Sequence, residues 1–144
     1  MQRFAALLLA SSFSLMALPA SAKSRLDNPA DIQQALASGS DVAVAIDLSQ
    51  CTANSANATP TRTRGGLRIE AYRIVEDGTL SFSDGHFTVA RDGQPIQQLL
   101  RYQVRPDGTI DFTMFIFDLP SYQQRSEPVA YRCAINQGLR FHAD

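Results

Sequence analysis

From Val42 to Phe141 the apolar residues fall mostly at alternate positions, the spacing of strands that turn one face to a core. Val42, Val44, Ile46 and Leu48 alternate with Ala43, Ala45 and Asp47; because the intervening residues are small, this strand is expected to be partly covered on both faces and to run into Cys51. Leu67, Ile69 and Ala71 alternate with Arg68 and Glu70, and the phase shifts between Tyr72 and Val75, where a bulge is expected. Leu80 and Phe82 face one way, Ser81 and Ser83 the other, and Phe87 and Val89 follow. In a longer strand from Ile96, Leu100, Tyr102 and Val104 point inward and Arg101, Gln103 and Arg105 outward. Ile110, Phe112, Met114 and Ile116 continue the inward set, and Val129, Tyr131, Cys133 and Ile135 alternate again. Leu139 to Phe141 is placed as a closing strand after a turn at Asn136-Gln137-Gly138.

Four Asp-Gly pairs punctuate this run: Asp77-Gly78, Asp84-Gly85, Asp92-Gly93 and Asp107-Gly108. Each reads as a tight turn, since aspartate bonds its own backbone and glycine accepts positive φ. Asp77 to Phe82 echoes Asp107 to Phe112, which suggests one hairpin chemistry used twice. A different period precedes the strands. Asn28 suits an N-cap, Pro29 the first helical position and Asp31 the first turn; Ile32, Ala35 and Leu36 share a face, and Gly39 suits the position after the C-cap. Residues 52–66 are polar and aperiodic, and read as one long loop ending in Gly65-Gly66. The fold expected is α+β: one N-terminal helix packed on a mainly antiparallel β-meander of about seven strands, with an open sheet and a half-barrel as alternatives.

The N-terminus changes the picture of where the chain works. Arg3, the uncharged and mostly apolar stretch Phe4 to Leu18, Pro19 and Ala20-Ser21-Ala22 form the three parts of a cleaved secretory signal. Residues 1–22 are therefore expected to be removed, leaving 23–144 as one domain in the periplasm or secreted, with no membrane span after cleavage. In an oxidising compartment Cys51 and Cys133, the two cysteines of the chain, are expected to form a disulfide. The whole chain carries 13 basic and 14 acidic side chains, a balance that argues against a general nucleic-acid binder.

Candidate chemistry is sparse. There is no nucleophile elbow, phosphate loop, dinucleotide fingerprint, metal-protease helix or Cys-x-x-Cys pair, so no catalytic residue, cofactor or metal ligand is assigned. His86, in Ser83-Asp84-Gly85-His86, reads as a turn residue and not as part of a triad; a hydrolase would need Asp47, Asp84 or His86 to converge in one cleft. Arg68, Arg73, Arg101 and Arg105 form a candidate outward binding surface for an anionic ligand or partner, against the simpler reading of a solvated face paired with Glu70 and Asp111. Phe112, Phe115 and Phe117 place apolar groups on both faces of one strand, read as a second small core under the helix or as a pocket or partner patch.

Several segments together resemble the bacterial VirK family: Ile32 to Leu36 with Gly39, Val44 to Leu48 with Cys51, Gly65 to Tyr72, Leu80 to Asp84 with His86-Phe87, and Arg101-Tyr102 with Arg105 to Thr109. The resemblance covers nearly all of residues 23–144. It implies a small exported bacterial protein of a family named for a gene in a virulence regulon, with no catalytic residues to carry over. Three functions fit: a non-enzymatic exported binding or accessory protein for an unidentified protein or small molecule, a small-ligand carrier with a barrel-like pocket, and a hydrolase.

Overall fold

The computed structural model describes residues 23–144; the expected signal segment, residues 1–22, lies outside the described residues. Among the described residues one α-helix, α1 (Pro29–Ala37), is joined to eleven strands. These are β1 (Ser24–Leu26), β2 (Val42–Asp47), β3 (Thr52–Ala53), β4 (Arg64–Arg68), β5 (Tyr72–Ile74), β6 (Leu80–Val89), β7 (Pro95–Val104), β8 (Thr109–Asp118), β9 (Gln123–Gln124), β10 (Val129–Ile135) and β11 (Gly138–Ala143).

The helix forms where its caps demand. Asn28 accepts the Asp31 N–H at 3.0 Å, and Pro29 occupies a first-turn position that needs no donor. At the other end Gly39, at φ 81°, donates to Leu36 O, and Ser40 donates to Ala35 O. That pair of bonds is a Schellman motif, which needs the left-handed residue that glycine supplies. Ile32 and Leu36 are buried, and Gln33 Nε2 donates to Gly78 O at 3.0 Å, tying the helix to the turn before β6.

All the strands belong to one sheet, whose main path runs β4-β2-β11-β10-β8-β7-β6-β5, with β1 on β11, β3 on β10 and β9 on β8. The sequential meander holds for β5 to β8 only. β11 inserts between β2 and β10, antiparallel to the first and parallel to the second. The stretch expected as one bulged strand, Leu67 to Val75, is two strands on opposite ends of the path: β4 pairs with β2, and β5 pairs with β6. Residues 69–71 join them, and so short a link spans at most about 14 Å. Laid flat, eight strands would separate those edges by roughly 33 Å. The sheet therefore curls on itself, and it does so as a half-barrel with α1 at one end.

Three of the four Asp-Gly turns are present, and they share one geometry. Gly78, Gly93 and Gly108 lie at φ 81°, 84° and 83°. In each, the glycine N–H and a second bond across the loop close a three-residue hairpin, as in Gly78 N–H to Val75 O with Val75 N–H to Thr79 O. Asp77, Asp92 and Asp107 each accept the N–H two residues on. The fourth, Asp84-Gly85, does not turn. It lies inside the ten-residue β6, with Asp84 opposite Leu100 and Gly85 opposite Leu99 of the equally long β7. A full partner strand satisfies its backbone, so the local turn tendency loses.

Other expectations shift at element ends. The lead-in at Ser24–Leu26 is a strand that pairs with β11. β2 stops at Asp47, whose side chain caps a 3-10 helix at Leu48–Gln50 before Cys51. The long loop is shorter than its composition suggested, because β3 and β4 pair its two ends. At Gly66 the backbones come so close that a Cβ would sit 2.8 Å from Val44 O, which accounts for glycine inside a strand. Cys51 and Cys133 are joined, closing a loop of 82 residues.

The core fills the helix end of the half-barrel. Leu80, Val104, Ile110, Leu139 and Ile32 are wholly buried, and the rings of Phe141, Phe82, Tyr102, Phe112 and Tyr131 form a continuous series of contacts with centroids 4.9–6.4 Å apart. Phe115 and Phe117 belong to the other face of β8, opposite in phase to Phe112, and so do not form a second core under the helix.

Candidate functional site

At the end of the half-barrel away from α1, the inward side chains stop filling the interior. A cavity of about 570 Å³ opens there. Its floor is the upper edge of the core, Tyr102, Phe112 and Tyr131. Its walls are the next inward positions on the same strands: Leu100 and Gln98 of β7, Met114 of β8, Val129 of β10, and Asp84 and His86 of β6. Ile46, Leu48 and the two glycines of β4, Gly65 and Gly66, form the facing wall. A ligand pocket of several hundred Å³, mostly apolar with a few convergent polar groups, has this composition.

The rim is the segment 54–63, which contributes Asn57, Thr59, Thr61 and Thr63. It is stitched to the sheet at several points. Asn54 N–H donates to Ala130 O at 2.8 Å, Ala130 N–H to Ser55 Oγ at 3.0 Å, Tyr131 Oη to Thr59 O at 2.7 Å and Leu48 N–H to Thr63 O at 3.0 Å. The segment is thus a fixed wall of the mouth.

Two polar groupings meet the cavity. On β6, His86 Nε2 lies 3.2 Å from Asp84 Oδ2, while Asp84 Oδ1 accepts the Gly85 N–H at 2.8 Å. Across the mouth, Arg64 Nε bonds Asp47 Oδ2 at 3.2 Å. Asp47 is buried and also accepts from Ser49 Oγ at 2.5 Å and Gln50 Nε2 at 3.1 Å. The Ser49 hydroxyl above all, against a desolvation cost, and then Gln50 and Arg64 hold its carboxyl below the usual range. Tyr102 is 1% exposed, and burial first, then the charge of Asp84, pushes its phenol well above the ordinary value. Its hydroxyl stays neutral and available as a donor.

Asp84 and His86, read from sequence as turn residues, thus sit side by side in mid-strand on the cavity wall, and Asp47 reaches the mouth through Arg64. Sequence reasoning missed Gln98, Leu100, Met114 and Arg64 as pocket residues. The signal was present in the inward positions of β6, which run Leu80, Phe82, Asp84, His86 and so pass from apolar to polar along one face.

The four arginines do not form one row. Arg73 and Arg101 line a shallow groove of about 400 Å³ on the outer face, where the Arg101 guanidinium lies 5.4 Å from the centroid of Phe115. Arg68 pairs with Asp41 and Asp144 near the opposite edge of the sheet. Arg105 pairs with Asp111 at 2.5 Å, and Arg132 shares the same carboxylate. Burial pulls Asp111 upward, but the two arginines bring its net shift below the usual range. Among the described residues no group of three or more His, Cys, Asp or Glu side chains is placed to hold a metal ion. No helix among them is long and apolar enough to cross a membrane.

Comparison with known proteins gives concordant matches. The family model described as VirK protein matches residues 25–122. A Rhizobium radiobacter protein, described as an uncharacterized protein in the pinF2 3' region, is 51% identical over 113 residues, 78% of either chain. A Sinorhizobium fredii protein, described as uncharacterized protein y4wH, is 47% identical over 111 residues, 77% of either chain. Among solved structures, the crystal structure of lpg1832, a VirK family protein from Legionella pneumophila, superposes with a TM-score of 0.72 at 20% identity, covering 81% of this chain and 97% of that one. At that identity the likeness speaks for the fold.

Proposed function

This chain belongs to the VirK family, and from that premise we propose that it is an exported binding protein whose half-barrel mouth holds a small, mostly apolar ligand. The observation that carries the reading is the cavity of about 570 Å³, which is bounded by a packed aromatic floor and a hydrogen-bonded rim. A strand set that continued its apolar inward positions would have filled this space. Instead Asp84, His86 and Gln98 take those positions beside Leu100 and Met114. Export is supported by the three-part pattern of residues 1–22 and by the Cys51–Cys133 bridge, a bond suited to an oxidising compartment.

A pocket-filling substitution tests the binding. Met114→Trp should lower the affinity for an environment-sensitive apolar dye by about tenfold or more, since a filled cavity leaves no apolar surface to gain. Its thermal unfolding should stay close to that of the parent chain. Equal dye affinity in the two proteins would remove the pocket from consideration. Export is tested separately by the mass of the protein recovered from its native host, which should begin at Lys23 with both sulfurs oxidised; an uncut chain with two alkylatable thiols would refute it.

A further inference from the structure

The geometry points to a ligand class: an apolar molecule carrying a protonated amine, with the ammonium held by Asp84 over the aromatic floor. This rests on the pocket reading above and deepens it. Three observations converge. First, Asp84 carries the carboxylate on the cavity wall, and its near neighbours are a backbone N–H and His86, with no arginine or lysine paired to it among the described residues. Each carboxylate oxygen retains acceptor capacity beyond the one contact it makes. Second, Arg64, the arginine among the residues that line the cavity, is bound to the buried Asp47, which balances its charge. Third, Tyr102, Phe112 and Tyr131 line the same cavity, with ring centroids 5.2 and 6.3 Å apart in sequence. Aromatic faces attract cations through their quadrupole, and the effect grows as water is excluded. An anionic head would face Asp84, and among the described residues that line the cavity the one arginine, Arg64, is already paired, while a neutral head would use hydrogen bonds alone.

Depth separates the roles. Tyr102 is almost wholly buried and lies at the floor, while Asp84 and His86 are part-exposed toward the opening. The ammonium therefore stays at Asp84, over the Tyr102 end of the aromatic floor, and the apolar part of the ligand runs along Leu100 and Met114.

Three probes of equal chain length decide the matter: octylammonium, octanol and octanoate, titrated calorimetrically against residues 23–144 with the disulfide intact. Octylammonium should bind at least about tenfold tighter than octanol, and octanoate weakest. Asp84→Asn should reduce the octylammonium affinity to about that of octanol and change the octanol affinity far less. Should that variant fail to fold, salt gives the same answer in the parent chain: octylammonium binding should weaken with added salt and octanol binding should not. Equal affinity for octylammonium and octanol, or octanoate binding tightest, would overturn the ammonium assignment and leave the pocket standing. Binding of none of the three would overturn the pocket itself.

Discussion

The two ends of the half-barrel are built from the same strands and differ in nearly everything else. Near the helix, inward positions Leu80 and Phe82, Val104 and Tyr102, and Ile110 and Phe112 meet the buried residues of α1, β2 and β11, and the interior is full. A few residues further along, the same phase carries Asp84 and His86, Leu100 and Gln98, and Met114, and the interior is open. Strand geometry is unchanged across the divide, since β6, β7 and β8 each run ten residues without a break. The difference lies in what faces them. At the base stands the apolar face of a helix, Ile32 and Leu36; at the mouth stand Gly65 and Gly66, which have no side chains to offer. Stability should therefore reside in the base, while the mouth contributes little to it and is free to carry chemistry.

The contrast can be broken by substitution. Phe141→Ala, in the base, removes a wholly buried ring that packs edge-on to Phe82, and should cost about 3–5 kcal/mol in urea unfolding. Replacing both Cys51 and Cys133 by alanine should cost about 2–4 kcal/mol, because the bridge closes an 82-residue loop whose chain-entropy limit is about 4.5 kcal/mol. Gly138→Ala tests the same corner by crowding: a Cβ there would lie 2.4 Å from Cys51 Sγ at φ 103°, so destabilisation is expected even though only a methyl group is added. At the mouth, Met114→Ala should cost only about 1 kcal/mol, since the side chain is part-exposed and its loss enlarges a space already open. A mouth substitution as costly as Phe141→Ala would end the distinction.

Acid should produce the smallest effect near neutrality. Asp47, Asp77, Asp92, Asp107 and Asp111 all have folded pKa values below the ordinary 3.8. In that range the unfolded chain binds protons before the folded one does, so their contribution is full above about pH 5 and is lost as pH falls through the folded values. Urea midpoints should be level between pH 7 and 5 and decline below about pH 4. Asp47→Asn should flatten that decline, and it should also release Arg64 at the rim. A midpoint that rose on acidification would contradict these directions.

Much of this was legible from residues. Asn28, Pro29 and Gly39 marked both ends of the helix because capping is local. Three Asp-Gly turns were read correctly for the same reason. Asp84-Gly85 was misread because the same dipeptide, placed opposite an unbroken β7, gains more from ladder bonds than from a turn. The break after Arg68 left a trace in the phase shift between Tyr72 and Val75, but a shift of phase does not distinguish a bulge from consecutive strands that go to opposite edges. Those two misreadings hid the candidate pocket: the first concealed the wall on which Asp84 and His86 stand, the second the facing wall of Gly65 and Gly66.

Taken alone, the order of residues determined the helix and its caps, the strand-rich body, the inward phase of β7, β8 and β10, the pairing of the two cysteines and the family. These depend on nearest neighbours, on periodicity, or on there being one possible partner. Tertiary structure decided the insertion of β11 between β2 and β10, the curl that lets β4 and β5, three residues apart in the chain, lie at opposite ends of the sheet path, and the meeting of Asp84, Tyr102 and Arg64 around one cavity. Those features depend on which distant strands compete for the same backbone bonds, and that competition is settled only when the whole sheet assembles.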